Sequence, residues 1–390
     1  MLKRWIFEYL KPWTAQRLEW LLLWYYARSA KRRRCRHETG CILIARTDGL
    51  GDYLLWLDAQ KRLRSLFPDK KLVILLDAEK PTMLLVEQNL DIDEVITVHV
   101  HRFVRFFEIF RMRKLAFDLI LQPIYGRTAF TDLLLFACRS DLRITLDGNR
   151  RFLTRWEKQI ADAAYDRVIP AQKGVKHELL RCGEMLRGLG ALDYQAGLAR
   201  IPVQTEGEPL FCPPYIVVYP GGSWREKCWA PERFAEVCDW MFERTGKTVL
   251  LCGGKNDKEL AEEIWHRMTH RRNAAIFAGK HSICQSLELI RHADFVFGND
   301  TGAIHMAAVC RVPAVAIVVG REIGRFFPYE SERPEDKSAF PAPVFAQMPC
   351  LGCMLEEDRP CKVPGCGTGR LPCIDEISVG QVQAVVEGFL

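Results

Sequence analysis

Residues 41–77 read CILIARTDGLGDYLLWLDAQKRLRSLFPDKKLVILLD, and this stretch decides the fold. Residues 41–46 and 71–77 are apolar runs of strand length. Between them, 51–67 has the length and leucine content of a helix, and Pro68 ends it. A strand that is apolar at nearly every position is covered on both faces, which is the habit of a parallel sheet with helices on either side. The unit is therefore one strand–helix–strand crossover of an α/β domain.

The same alternation continues outward. Further strands are expected at 94–100, 117–124 and 143–146, with a short helix from Pro81 and a basic, aromatic helix near 103–114. Residues 151–200 read as mainly helical. Residues 202–214 (PVQTEGEPLFCPP) then hold four prolines and no periodicity, which suits a linker. Beyond them the alternation restarts, with strands at 215–219, 248–252, 274–278, 295–297 and 314–319 and helices at 231–245, 257–270, 282–293 and 302–310. The expected division is an arm (1–40), an N-terminal α/β domain (41–203), a C-terminal α/β domain (204–374) and a closing helix (375–390). Two such domains imply a cleft, and ligands of open α/β sheets bind outside the carboxyl ends of the strands.

Composition narrows the function. Hydrophobic residues make up 48% and charged residues 27%, an ordinary globular balance that argues against bulk disorder. No apolar run reaches the roughly 20 residues of a membrane-spanning helix. The net charge of +6 is carried by residues 1–40, whose ten Lys/Arg and three Glu leave the remaining chain at −1. A near-neutral body argues against nucleic acid as the partner. Fifteen cysteines, an odd number, with no secretory signal point to mostly reduced thiols in the cytoplasm.

The arm mixes eight aromatics (Trp5, Phe7, Tyr9, Trp13, Trp20, Trp24, Tyr25 and Tyr26) with cations that end in Lys31-Arg32-Arg33-Arg34. Trp and Tyr favour the bilayer interface and Lys/Arg attract anionic lipid, so one reading is a helix on an inner-leaflet surface. The other is packing on the protein or on a second subunit.

Three loops carry candidate chemistry. Arg46-Thr-Asp48-Gly49-Leu-Gly51-Asp52 follows the first strand and opens a helix. Its glycines allow close backbone approach, and Asp52 suits a general base or a helix cap. It is neither a dinucleotide fingerprint nor a P-loop. Pro220-Gly-Gly222-Ser223-Trp-Arg225-Glu-Lys227-Cys-Trp229 ends the first strand of the second half, and its glycines, hydroxyl and two cations suit a phosphate. Gly298-Asn-Asp300-Thr301-Gly302-Ala-Ile-His305 opens a helix whose N–H groups would face an anion. Asp300 there suits a sugar hydroxyl or the loop itself. A fourth cluster, Cys350, Cys353, Cys361, Cys366 and Cys373, has a C-x2-C start and allows a structural zinc or iron at Cys350, Cys353, Cys361 and Cys373. Free thiols or a disulfide remain open for it.

In that order the three loops resemble glycosyltransferase family 9, the heptosyltransferases of lipopolysaccharide core assembly. RTDGLGD (46–52) is similar to the family's N-terminal motif, PGGSWREKCW (220–229) to its mid-chain loop, and GNDTGAIHMAA (298–308) to its most diagnostic stretch. His177-Glu178 is a weaker match. The resemblance spans about 40–390 and leaves the arm outside. It implies a GT-B fold, α/β, with two Rossmann-like domains facing across a cleft, and inverting transfer with no cofactor required for catalysis. It implies a nucleotide-sugar donor, ADP-heptose, and a lipid-linked or surface-glycan acceptor. By this likeness Asp52 is the base and Lys227 stabilises the leaving diphosphate. Gly222, Ser223, Arg225, Asp300, Thr301, Gly302 and His305 bind donor, and Arg46, Asp48, Gly49 and Gly51 bind acceptor. The alternatives are a heptosyltransferase acting on autotransporter-type proteins, whose branch holds iron through cysteines, a nucleotide-sugar epimerase of the same shape, and a degenerate scaffold.

Overall fold

Among the described residues, twelve short strands, all paired in parallel, build two six-stranded sheets in the computed structural model. The structure describes residues 11–35, 37–80, 82, 91–100, 105–201, 210–353, 366 and 371–390. Trp5, Phe7, Tyr9, Pro81, Cys361 and most of the 202–214 linker lie outside them.

In chain order the named elements of the first part are α1 (Lys11–Ala30), β1 (Cys41–Arg46), α2 (Leu50–Leu66), β2 (Lys71–Asp77), β3 (Glu94–Val98), α3 (Arg105–Met112), β4 (Ala116–Gln122), α4 (Ala129–Ala137), β5 (Arg139–Leu146), α5 (Arg155–Ala164), β6 (Arg167–Ile169) and α6 (Glu178–Gly188). The second part holds β7 (Tyr215–Tyr219), α7 (Pro231–Thr245), β8 (Thr248–Leu251), α8 (Lys258–Arg267), β9 (Ala274–Ile276), α9 (Ile283–Arg291), β10 (Phe295–Asn299), α10 (Gly302–Cys310), β11 (Ala314–Ile317), β12 (Ala342–Val344), α11 (Pro372–Asp375) and α12 (Val379–Val386).

The chain divides into two compact units. Unit 1 takes the residues up to Asp48, Gln60–Lys173 and Glu184–Tyr194, and unit 2 takes Gly49–Ala59, Gly174–Gly183 and Gln195–Leu390. The unit 1 sheet runs β3-β2-β1-β4-β5-β6 and the unit 2 sheet β12-β11-β10-β7-β8-β9. Each is the Rossmann order, with its switch point between β1 and β4 or between β7 and β10.

The apolar runs account for these sheets. Five consecutive residues of β1 are buried, as are six of β2 and all of β7 and β10, so helices cover both faces. Differences from the sequence expectation lie at the edges. Residues 151–200 are only partly helical: α5 and α6 are separated by the edge strand β6. Three residues carry too little periodicity to be told from a helix end. β12 was not foreseen because Pro343 sits at its centre; the edge position tolerates the missing N–H.

The arm has a definite place. All nine residues of α4 are buried. A helix buried on every side needs cover all round. α1 supplies part of it, packing on α4 and α5 through Leu23, Tyr26, Ala27 and Ala30. Beyond its end, Arg33 donates to the Ala137 carbonyl (2.8 Å), and buried Arg143 reaches the carbonyls of Ala30 and Cys138 at 3.2 and 2.8 Å. Arg34 pairs with Asp166 at 2.8 Å. Half of the basic run therefore holds the fold together, while Lys31 and Arg32 face solvent.

Candidate functional site

The switch point of unit 2 begins at a glycine that nothing larger can replace. A Cβ on Gly298 would lie 2.4 Å from the Tyr219 carbonyl on the neighbouring strand. The next residue, buried Asn299, ties two loops together. Its Nδ2 donates to the Pro220 carbonyl at 2.6 Å, and its Oδ1 accepts from the Trp229 N–H at 3.1 Å. Trp229 is a core residue whose indole donates to the Ile377 carbonyl (2.9 Å), so it anchors the 220–229 loop from below. A short 3-10 turn over Arg225–Lys227 precedes it. From there Lys227 Nζ donates to the Asp300 carbonyl at 2.7 Å, holding a cation at the start of α10. Gly222 lets the loop fold over the stem of this lysine, its Cβ position being 3.0 Å from Lys227 Cε.

Thr301 is the N-cap of α10 but makes no side-chain cap bond, and its Oγ1 is buried without a hydrogen-bond partner among the described residues. A buried hydroxyl left unmatched costs roughly 1–3 kcal/mol. Beside it, the first N–H groups of α10 have no partner within the helix, as at any helix start. Hydroxyl, helix start and Lys227 together form a group suited to an anion.

The 49–52 loop belongs to the same unit. Asp52 Oδ2 accepts from the Gly49 N–H at 3.2 Å, a local cap at the start of α2. Its other oxygen, Oδ1, accepts from Arg325 at 2.5 Å. Arg325 also donates through Nε to Glu178 (2.6 Å), and Glu322 lies 3.9 Å away. Burial opposes the Arg325 charge, but Asp52, Glu178 and Glu322 more than restore it, so its pKa stands above the ordinary arginine value.

His305 is buried beneath this group. Its Nδ1 shares a hydrogen bond with the Tyr329 hydroxyl, Phe326 and Phe327 lie beside the ring, and Nε2 stands 3.8 Å from Asp300 Oδ1. Burial pushes its pKa down to about 4, so the imidazole is neutral near pH 7 and the approach to Asp300 is not an ion pair. Burial pushes the Asp300 carboxyl up to about 6, against the opposing pull of Lys227. His177 is likewise buried, and desolvation lowers it to about 3. Its Nε2 is 2.9 Å from the Phe326 carbonyl, and its Nδ1 accepts from the Leu179 N–H.

Gly51 is needed because His305 occupies the space a side chain would fill: a Cβ there would lie 2.5 Å from its Cδ2. Gly302 is similarly close to Leu50. Gly51→Ala is expected to lower stability by about 1–3 kcal/mol through overpacking and to displace a ring held on its other side by Tyr329. A thermal melt of the variant beside wild type checks this, and an unchanged melting temperature would show that the loop yields freely.

The structure thus brings Gly49, Gly51, Asp52, Gly222, Lys227, Asp300, Thr301, Gly302 and His305 into one unit. Arg225 is exposed and reaches Glu263 (3.4 Å), and Ser223 is also exposed. Arg46 and Asp48 belong to unit 1, where they pair at 2.7 Å at the carboxyl end of β1. Sequence reasoning missed Arg325, Glu322 and Tyr329, and took Glu178 only as a weak match. The available signal was that residues 320–329 follow β11, a strand end beside the other loops.

The cysteine cluster is described only in part. Among the described residues no group of three or more His, Cys, Asp or Glu side chains is disposed to hold a metal, and Cys361 lies outside them. Cys350 and Cys353 close a turn (N–H to carbonyl, 2.9 Å), and Cys373 Sγ accepts from the Gly320 N–H at 3.4 Å. The zinc or iron site expected on Cys350, Cys353, Cys361 and Cys373 thus falls partly outside the described residues.

Residues 192–334 match the model of "Glycosyltransferase family 9 (heptosyltransferase)". Lipopolysaccharide heptosyltransferase 3 of Escherichia coli K12 is 28% identical over 103 residues, 26% of this chain and only 30% of that protein. A second Escherichia coli lipopolysaccharide heptosyltransferase 3 is 23% identical over 286 residues, covering 68% of this chain and 80% of that one. Among solved structures, E. coli ADP-heptose lps heptosyltransferase II superposes with a TM-score of 0.62 at 16% identity, over 89% of this chain and 98% of its own. The iron-containing dodecameric glycosyltransferase TibC from enterotoxigenic E. coli gives 0.54 at 17% identity, over 90% of this chain and 75% of that one. With two Rossmann-order sheets of the GT-B kind and a family match over residues 192–334, which include the 220–229 and 298–308 loops, this chain resembles the heptosyltransferases of glycosyltransferase family 9.

Proposed function

We propose that the protein transfers a heptose from ADP-heptose, with inversion, to a hydroxyl of a lipopolysaccharide-core or other surface-glycan acceptor. The observation that carries this reading is the convergence in unit 2 of a fixed carboxylate, Asp52, with Lys227, Thr301 and the N-terminus of α10. The first is a group for taking a proton, and the others are groups for receiving a diphosphate. The relatives' names supply the sugar and the nucleotide.

In this reading the acceptor oxygen attacks the anomeric carbon as Asp52 takes its proton, and the bond from that carbon to the diphosphate breaks. The departing ADP carries the negative charge that develops. Lys227 and the α10 N–H groups meet it without reorganising, because Asn299 and Trp229 already hold both loops. His305, neutral and packed under Gly51, spaces the α2 start from α10 and offers no competing charge. Arg46 and Asp48 are assigned to acceptor recognition by the family resemblance.

A donor screen tests the proposal. The protein is titrated with ADP-, GDP-, UDP- and dTDP-sugars and followed by thermal stabilisation. The expected result is selective stabilisation by ADP-heptose, roughly 2.7 kcal/mol at a hundredfold excess over Kd, and its loss in Asp300→Ala. A selective response to another nucleotide sugar would discard heptose, and no response to any donor or to donor with acceptor extract would favour the scaffold alternative.

A further inference from the structure

Most of the candidate site residues lie in unit 2, whereas the unusual surface of the molecule is on unit 1. α1 is apolar on two sides. One side packs on α4 and α5; the other leaves Leu21, Trp24 and Tyr25 exposed, Leu21 by 66% and Tyr25 by 54%. The described aromatics of the arm thus divide between a buried stripe and a solvent stripe.

The solvent stripe does not stand alone. α1 is bonded to α3 through Glu19 and Arg105 (2.8 Å) and to α5 through Trp20 and Glu157 (2.7 Å). α3 adds Phe107 and Phe110, exposed by 72% and 60%, and α5 adds Trp156 at 44%. A monomer has no reason to leave so many large apolar side chains together in water. They are interleaved with exposed cations: Arg28 on α1, Lys31 just past its end, Arg111 on α3 and Arg155 on α5. Between α1 and α5 lies a hollow of about 530 Å³ lined by Trp24, Arg28, Lys31 and Trp156. A second hollow of about 540 Å³, lined by Arg150, Arg155 and Lys158 with Asp162, adjoins it through Gln159. Exposed aromatics ringed by Lys and Arg beside these hollows complement one kind of surface, an apolar phase topped by phosphates.

We propose that the α1–α3–α5 face of unit 1 seats the protein on an anionic bilayer, with lipid phosphates entering the hollow between Trp24 and Trp156. The aromatic rings lie at headgroup depth, while Arg28 and Lys31 meet the phosphates. The inference stands on unit 1 alone and does not depend on the sugar-transfer reading. It also separates arm residues by role: Leu23, Tyr26 and Arg33 hold the fold, and Leu21, Trp24, Tyr25, Arg28 and Lys31 face the membrane.

The test is sedimentation of the full chain with phosphatidylcholine vesicles, with and without phosphatidylglycerol. Wild type is expected to bind only the anionic vesicles, less so as salt rises. Two variants change exposed residues only: Phe107→Ser with Phe110→Ser, and Arg28→Glu with Lys31→Glu. Each should weaken partitioning roughly tenfold or more, since a cation near an anionic surface contributes about 1 kcal/mol and charge reversal counts twice. Unchanged melting temperatures identify both as folded. Equal binding by wild type and both variants would overturn the proposal, as would wild type ignoring phosphatidylglycerol. So would a wild-type dimer that the same variants convert to monomer without any vesicle binding, because a second copy of the chain would then cover this face.

Discussion

Asp52→Asn is expected to lower the turnover of sugar transfer by about 10²–10⁴-fold, the usual contribution of a positioned general base. Donor binding and the melting temperature should stay near wild type. The structural reason is that asparagine keeps a carbonyl oxygen to accept from Arg325 or from the Gly49 N–H, so the start of α2 can retain one of its two ties. What is removed is the capacity to take a proton, together with the charge that pairs with Arg325. Single-turnover kinetics with saturating donor separates the outcomes. A fall in turnover at unchanged donor affinity supports the base. A parallel fall in donor affinity would mean that Asp52 positions a loop, and full activity would sink the assignment.

Arg325→Met should have the largest effect on stability. Arg325 is four-fifths buried and touches Asp52 and Glu178, with Glu322 close by. Removing it leaves Asp52 and Glu178 without their cation while Glu322 keeps Arg321 at 2.8 Å, and breaking a buried ion pair in this way costs about 3–5 kcal/mol. Denaturant unfolding measures the loss. Arg325→Lys should recover only part of it, because an ammonium cannot fork between Asp52 and Glu178 as a guanidinium does. The decisive variant is the double substitution Arg325→Met with Glu178→Gln. If like-charge crowding is the cause, the double variant is more stable than Arg325→Met alone; if it is less stable, lost packing over Phe326 is the larger effect.

Much of this arrangement was legible before any coordinates. The runs CILIAR, KLVILLD and YIVVY are too short for buried helices and too uniformly apolar for half-exposed strands, which leaves parallel sheets covered on both faces. The three glycine-bearing loops follow directly from those strands. Gly298, Gly221 and Gly51 each sit where an added Cβ would collide with a carbonyl, with Asp257 or with His305. Local chemistry of that kind is written into a sequence, because strand ends, glycines and helix starts are neighbours along the chain.

The remainder was not local. Arg325 stands 273 residues from Asp52 and 147 from Glu178, and no spacing rule connects residues at those separations. The loop that carries it reads as ordinary until the return of the chain after β11 places it against the 49–52 loop and Glu178. The arm shows the same limit differently. Its sequence advertises both aromatics and cations, yet only packing on the wholly buried α4 decides which of them become core and which face outward. The sequence by itself determined most of the strands, their parallel pairing and the glycine-bearing loops at their ends, since these depend on contiguous residues. The tertiary structure alone decided the partners of Asp52, the neutral state of buried His305 and the two faces of α1, since each depends on what distant parts of the chain exclude from water.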